Sequence, residues 1–152
     1  MEAYLDVKTF HRAGILKEEG LELSDDRYCF VCGEKNPVGL KLKFSLKDNV
    51  LTTRFRPGKE YQGFTNIVHG GIIGLVLDEM IANLPWMLGI PAVTAEYNVR
   101  LKKPAIVNEE LEFNSRIVGE KGRLILVEAG ARKEDGTSVA VATGKCIRVE
   151  KG

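Results

Sequence analysis

Residues 70–89 read GGIIGLVLDEMIANLPWMLG. Wound as a helix, this stretch is apolar on almost every side, and a helix of that kind needs protein cover over most of its surface. The flanking sequence supplies strands. Upstream, Leu40, Leu42, Phe44 and Leu46 alternate with Lys41, Lys43 and Ser45. After the pair Asp48-Asn49, Leu51, Thr53 and Phe55 alternate with Thr52, Arg54 and Arg56, which predicts a hairpin with one wet face. Downstream, alternation resumes at Val93, Ala95, Tyr97, Val99 and Leu101. It recurs over roughly 109–119, 123–134 and 137–149, with turns at Glu120-Lys121-Gly122 and Asp135-Gly136. A twisted antiparallel sheet of about six strands can curl around a single helix, so the expected fold is α+β with that arrangement.

The chain has 152 residues, enough for one well-buried core and too few for two. Residues 3–18 space Tyr4, Val7, Phe10 and Ile15 as an amphipathic helix would, so residues 1–24 are read as a helical extension and 25–152 as the main domain. Hydrophobic residues at 44% and charged residues at 28% exclude a wholly disordered or membrane-spanning chain. Lys and Arg number 22 against 21 acids and are scattered, so nothing points to nucleic acid. Acids near the N-terminus argue against a signal or transit peptide, and three cysteines suit a reducing compartment; a cytoplasmic location is the expectation.

The only charges in the apolar helix are Asp78 and Glu79. An unpaired carboxylate in protein costs several kcal/mol to bury, so an acid here needs a partner or a task. At about 100° per residue, Gly74 and Gly71 share the face of Asp78, and Ala82 lies one turn beyond. Two glycines on that face suggest a close approach to the backbone, by a tightly packed strand or by a substrate. On the first reading, Asp78 pairs with a buried arginine or caps a neighbouring backbone; on the second, it does chemistry. Glu79 points about 100° away and reads as a structural or interfacial acid. His69-Gly70-Gly71 opens the helix with bare N–H groups at its positive end, a place where an anion or a developing oxyanion can be held.

Taken together, VHGGIIGLVLDEM, residues 68–80, resembles the core motif of the hotdog-fold acyl-CoA thioesterases, the superfamily of the 4-hydroxybenzoyl-CoA and phenylacetate-pathway enzymes. CFVCGEKNPVGLKLKF and AEYNVRLKKPA extend the resemblance over roughly residues 28–149. It implies an acyl-CoA thioesterase acting on small to medium acyl chains without a metal or organic cofactor. Asp78 would be the general base or the nucleophile, the Gly71 N–H the oxyanion donor, and His69 the residue that shapes the turn. Asn66, Val68, Gly70 and Gly74 would lie beside the substrate. The resemblance also implies a homodimer, or a tetramer made of two dimers, with Asp78 facing the turn of the other subunit and no activity in a monomer. The CoA phosphates need positive charge, for which Arg100, Lys102, Lys103, Lys121 and Arg123 are candidates. Phe64, Trp86 and Met87, with the partner subunit, would form the pocket bottom.

Cys29 and Cys32 have the spacing of half a zinc site, but Cys146 and His11 stand alone in sequence and there is no second CxxC. They are read as free thiols in an ordered loop, with zinc or redox chemistry as the alternative. A different class of function on the same fold is a non-catalytic acyl-CoA-binding or sensor protein, for which an acid at position 78 would have no use.

Overall fold

The computed structural model describes residues 24–149. The N-terminal helix expected over 3–18 lies outside them. The described chain runs β1 (Ser45–Lys47), β2 (Val50–Phe55), a turn of 3-10 helix (Lys59–Tyr61), α1 (Gly70–Met87), β3 (Ala92–Leu101), β4 (Leu111–Lys121), β5 (Leu124–Lys133) and β6 (Ser138–Arg148). The six strands form one sheet in the order β1-β2-β4-β5-β6-β3, every pair antiparallel, with α1 packed on its inner face.

The first predicted strand is shorter than the alternation suggested. Lys41 adopts a left-handed conformation at φ 52°, which breaks the extended run, so ladder pairing starts only at Ser45. Asp48 and Asn49 both have positive φ, 52° and 61°, as the tightest hairpin turns require, and Ser45 pairs with Thr52 across them. The long strands fall within two or three residues of their predicted limits.

Burial holds α1 in place. Ile73, Val76, Leu77, Met80, Ile81 and Leu84 are each at most 2% exposed, against Leu51, Leu111, Phe113, Ile125 and Val127 on the sheet. Each such side chain stabilises by roughly 1.5–3 kcal/mol. That outweighs the roughly 1 kcal/mol cost of each of the glycines Gly71 and Gly74 inside the helix. The helix packs tightly on β6 at Gly144, where an added Cβ would collide with the Ile81 side chain. Pro85, in the last turns, has no N–H for the Ile81 carbonyl. The buried Cys146 thiol donates to that carbonyl instead, at 3.6 Å, and the Ser115 hydroxyl donates to the neighbouring Met80 carbonyl at 2.7 Å.

The other side of α1 is only half covered by its own chain: Ile72, Leu75, Asp78, Glu79, Ala82 and Asn83 are partly buried, and Trp86 and Met87 are 42% and 41% exposed. No helix among the described residues is long and apolar enough to cross a membrane.

Candidate active site

The turn before α1 is fixed by backbone bonds to two neighbouring segments. The Val68 N–H donates to the Ala105 carbonyl at 2.9 Å and the His69 N–H to the Tyr61 carbonyl at 2.8 Å. Asn66 sits in the left-handed region at φ 63°, and its carbonyl accepts from the Val107 N–H at 3.0 Å. His69 then caps the helix: its Nδ1 accepts from the Gly71 N–H at 2.8 Å. An accepting Nδ1 puts the proton of the neutral ring on Nε2. Beside this turn lies a cleft of about 380 Å³ lined by Phe64, Val68, His69, Gly70, Lys102 and Lys103 among others. Phe64 stands at its edge, 84% exposed.

Asp78 lies two turns further along α1. Its Oδ1 is buried and has no hydrogen-bond partner, and the same holds for the Thr94 Oγ1 on β3. The carboxyl is held above the usual aspartate range by burial, while the nearby Thr94 hydroxyl acts in the opposite direction by favouring the charged form. The two groups are therefore neighbours whose lone pairs and proton do not meet in hydrogen-bond geometry. A pair of buried, unpartnered oxygens invites a third polar group between them.

Alternation along β3 did not single out Thr94. A register shift between Thr94 and Glu96, opposite Cys146 and Lys145 of β6, interrupts the period. Bulges re-aim side chains next to functional sites, and no glycine or proline in VTAEY announces this one.

The space beside Gly71 and Gly74 bears on the two readings of the glycine stripe. Among the described residues, a Cβ added at Gly74 meets no atom within 4 Å, and one added at Gly71 meets only the capping His69 ring. Thr94 of β3 lies beside Asp78, but no side chain or strand fills the space at Gly74, and among the described residues no cation is ion-paired with Asp78. Glu79 is turned elsewhere, its two carboxylate oxygens 3.7 and 3.8 Å from the Cys29 Sγ.

Some of the expected site residues come together in one chain and others do not. Val68, His69, Gly70, Lys102 and Lys103 share the cleft. Asn66 is exposed on the turn leading to it. Asp78, seven residues beyond Gly71, is displaced by about 10 Å along the helix axis. Arg100 instead lines a shallow groove on the outer face of β3, β5 and β6 with Tyr97, Val141 and Lys145. Lys121 and Arg123 lie at the β4–β5 turn, next to the start of β3, whereas the cleft lies by its end at Leu101. The Arg123 guanidinium donates to the Arg148 carbonyl at 3.1 and 3.0 Å. Phe64 and the Trp86–Met87 pair likewise stand at opposite ends of α1.

No family model and no curated protein matches the sequence. Solved structures do match the fold. A thioesterase superfamily protein superposes with a TM-score of 0.77 at 23% identity, over 90% of this chain and 71% of that one. A hypothetical thioesterase protein from Streptococcus pneumoniae TIGR4, solved with coenzyme A, gives 0.68 at 14% identity, over 72% of this chain and 90% of that one. The E. coli PaaI protein from the phenylacetic acid degradation operon gives 0.68 at 15% identity, over 73% and 81%. At these identities the likeness speaks for architecture, and on that level it agrees with the sequence motif: the chain has the hotdog fold of the thioesterase-superfamily proteins.

Proposed function

We propose that this protein hydrolyses acyl-CoA thioesters to a free acid and CoA, at a site completed by a second copy of the chain. The observation that carries the reading is the buried, unpartnered Asp78 Oδ1 beside the equally unpartnered Thr94 Oγ1, one turn from Gly74, where among the described residues an added Cβ would meet no atom within 4 Å. A carboxylate kept short of solvent is a stronger base than one in water. It takes a proton from a water held between it and Thr94, and the resulting hydroxide adds to the thioester carbonyl. The CoA sulfur then leaves and is reprotonated. Direct attack by Asp78 on the carbonyl is the other route open to the same group.

The oxyanion that forms needs a fixed donor. Gly71 N–H serves at the helix start, exchanging its bond to His69 Nδ1 for one to the substrate oxygen, while His69 keeps the turn in shape. Asn66, Val68 and Gly70 border the reacting group, and Gly74 leaves space for it. Lys102 and Lys103 at the cleft supply charge for the CoA phosphates; Arg100, Lys121 and Arg123 are left for the partner's substrate.

Three features support a second copy. Asp78 and the Gly71 N–H, about 10 Å apart along one helix, are too far apart to act on one carbonyl. The ten-residue strand β3 ends the sheet, its outer edge unpaired among the described residues, a ready template for pairing. Antiparallel apposition of two α1 helices sets Asp78 of each against the turn of the other, and brings Phe64 of one near Trp86 and Met87 of the other. The assembly is a homodimer or a pair of such dimers. Structures of this fold carrying coenzyme A and acetyl CoA support the ligand class. Two further crystals of the Streptococcus pneumoniae protein carry an Asp-to-Ala and a Thr-to-Ala change sixteen residues apart, the spacing of Asp78 and Thr94 here.

The test is a panel of acyl-CoAs, varied in chain length and aromaticity, assayed by thiol release. Turnover of at least one member is expected. Tight binding of acyl-CoA with no release on any member would replace the enzyme by a binding protein.

A further inference from the structure

Cys29, Cys32 and Glu79 face away from the Asp78 side of α1 and have no part in the proposed hydrolysis. One ligand atom from each, two thiol sulfurs and a carboxylate oxygen, lie within 4.8 Å of one another. The Cys29 Sγ is 3.7 Å from one Glu79 oxygen and 3.8 Å from the other. In a tetrahedral zinc site the S–O edge is about 3.6 Å and the S–S edge about 3.8 Å, given usual bond lengths. Closing the cluster around an ion therefore needs movements no larger than a side-chain adjustment.

The segment presenting the cysteines is built rather than loose. The Gly33 N–H donates to the Cys29 carbonyl at 2.8 Å and the Lys35 N–H to the Arg27 carbonyl at 3.0 Å. The buried Asn36 side chain donates to the Tyr28 carbonyl at 3.1 Å and accepts from the Val38 N–H at 3.0 Å. A Cβ at Gly33 would run into the backbone of Cys29 and Arg27, so the tight turn after the second cysteine requires glycine. Val31, between the cysteines, is 2% exposed and anchors the turn in the core.

Charge is what the cluster lacks. The groups acting on Glu79 are Cys29, Cys32, Asp78 and Asp25, all of them acids. Among the described residues no lysine or arginine pairs with it. Three acidic ligand groups thus stand together with no counter-charge paired to Glu79 among the described residues. A divalent cation reverses this: it displaces the two thiol protons to solvent and binds the thiolates and the carboxylate directly.

We propose that Cys29, Cys32 and Glu79 bind one thiophilic divalent cation, of which zinc is the representative, with a fourth position left to water. Two sulfurs and one oxygen in a tetrahedral frame select zinc over magnesium or calcium. The ion fastens the loop 27–42 to the middle of α1, independently of any thioester chemistry.

The full chain, purified without chelator, is analysed for metal and then titrated with Co²⁺ after stripping. About one zinc per chain is expected, together with a sulfur-to-cobalt charge-transfer band and tetrahedral visible bands, and a lower Tm on stripping. Cys32→Ser and Glu79→Gln should each weaken zinc affinity at least tenfold. A wild-type chain that neither copurifies with zinc nor develops the charge-transfer band overturns the proposal, whatever the variants do. So does undiminished zinc in the Cys29→Ser/Cys32→Ser double variant, or a Cys29–Cys32 disulfide as the form isolated under reducing conditions.

Discussion

Asp78 Oδ1 and Thr94 Oγ1 are both buried and both without a hydrogen-bond partner, although the hydroxyl lies near enough to favour the charge on the carboxylate. One residue comes from the middle of the helix and the other from near the start of β3, so only the folded chain brings them together. If the gap between them holds the attacking water, Thr94→Val removes one of its two holders. The expected result is a fall in kcat of roughly tenfold to a hundredfold, the scale of a misplaced reactant, with KM little changed. Thr94→Ser should recover most of the rate. Steady-state kinetics on the three proteins decide it, and equal kcat in Thr94→Val and wild type would remove Thr94 from the mechanism.

The pH dependence follows from the same pair. A general base works when ionised, so kcat/KM should rise with pH through an apparent value above the usual 3.8 of aspartate and then level off. Because the hydroxyl holds the carboxyl down, Thr94→Val should move that midpoint further up. A rate profile with its midpoint at or below the ordinary aspartate value would contradict a buried base.

Removing the charge should cost activity and gain stability. A carboxyl whose folded value is raised binds its proton more tightly in the folded state, so its burial penalty is absent below the unfolded value. The penalty grows as pH rises from there to the folded value and is fully present above it. Asp78→Asn should therefore raise Tm at neutral pH, with the gain shrinking toward pH 4 and below, while turnover falls at least roughly a hundredfold. Thermal scans across pH, run beside the thiol-release assay, measure both.

Much of the architecture was legible because it follows from two periods. The near-continuous apolar run over 70–89 required a covered helix, and alternation placed the sheet around it, with Asp48-Asn49 and Asp135-Gly136 marking hairpins now seen between β1 and β2 and between β5 and β6. Asp78 stood out as a charge where burial is expensive. What stayed hidden depends on contacts between distant segments. Lys41 breaks the first strand by a backbone conformation that lysine does not advertise, and the register shift that follows Thr94 has no sequence marker. Glu79 meets Cys29 across fifty residues of chain. The placement of the basic residues depends on such contacts too: in a single chain Arg100, Lys121 and Arg123 lie on surfaces away from the cleft that Lys102 and Lys103 line.

The glycines of α1 and β6 make opposite predictions. At Gly144 a methyl group collides with the Ile81 side chain, so Gly144→Ala should destabilise by about 1–3 kcal/mol, the usual cost of overpacking. At Gly74 a methyl group meets nothing within 4 Å among the described residues. There, alanine should stabilise the helix by up to roughly 1 kcal/mol. If the space beside Gly74 is where the acyl thioester lies, Gly74→Ala should at the same time raise KM severalfold. Denaturant unfolding and kinetics on the two variants separate a packing role from a substrate role.

The distance from Asp78 to the Gly71 turn makes the subunit question testable without a structure of the assembly. Asp78→Asn disables the base, and Gly71→Ala pushes a methyl group into the His69 ring, which lies 3.0 Å from the added carbon, and so disturbs the donor turn. Each homodimer is then defective at both sites. When the two variants are mixed and allowed to exchange subunits, a heterodimer has one site with both lesions and one with neither, if each site takes its base from one chain and its turn from the other. A one-to-one mixture should recover about a quarter of wild-type activity, because half the dimers are mixed and half of their sites are intact. If base and turn instead came from the same chain, every site would carry one lesion and mixing would restore nothing. Refolding the variants together, with each variant refolded alone as the control, gives the answer in a single assay.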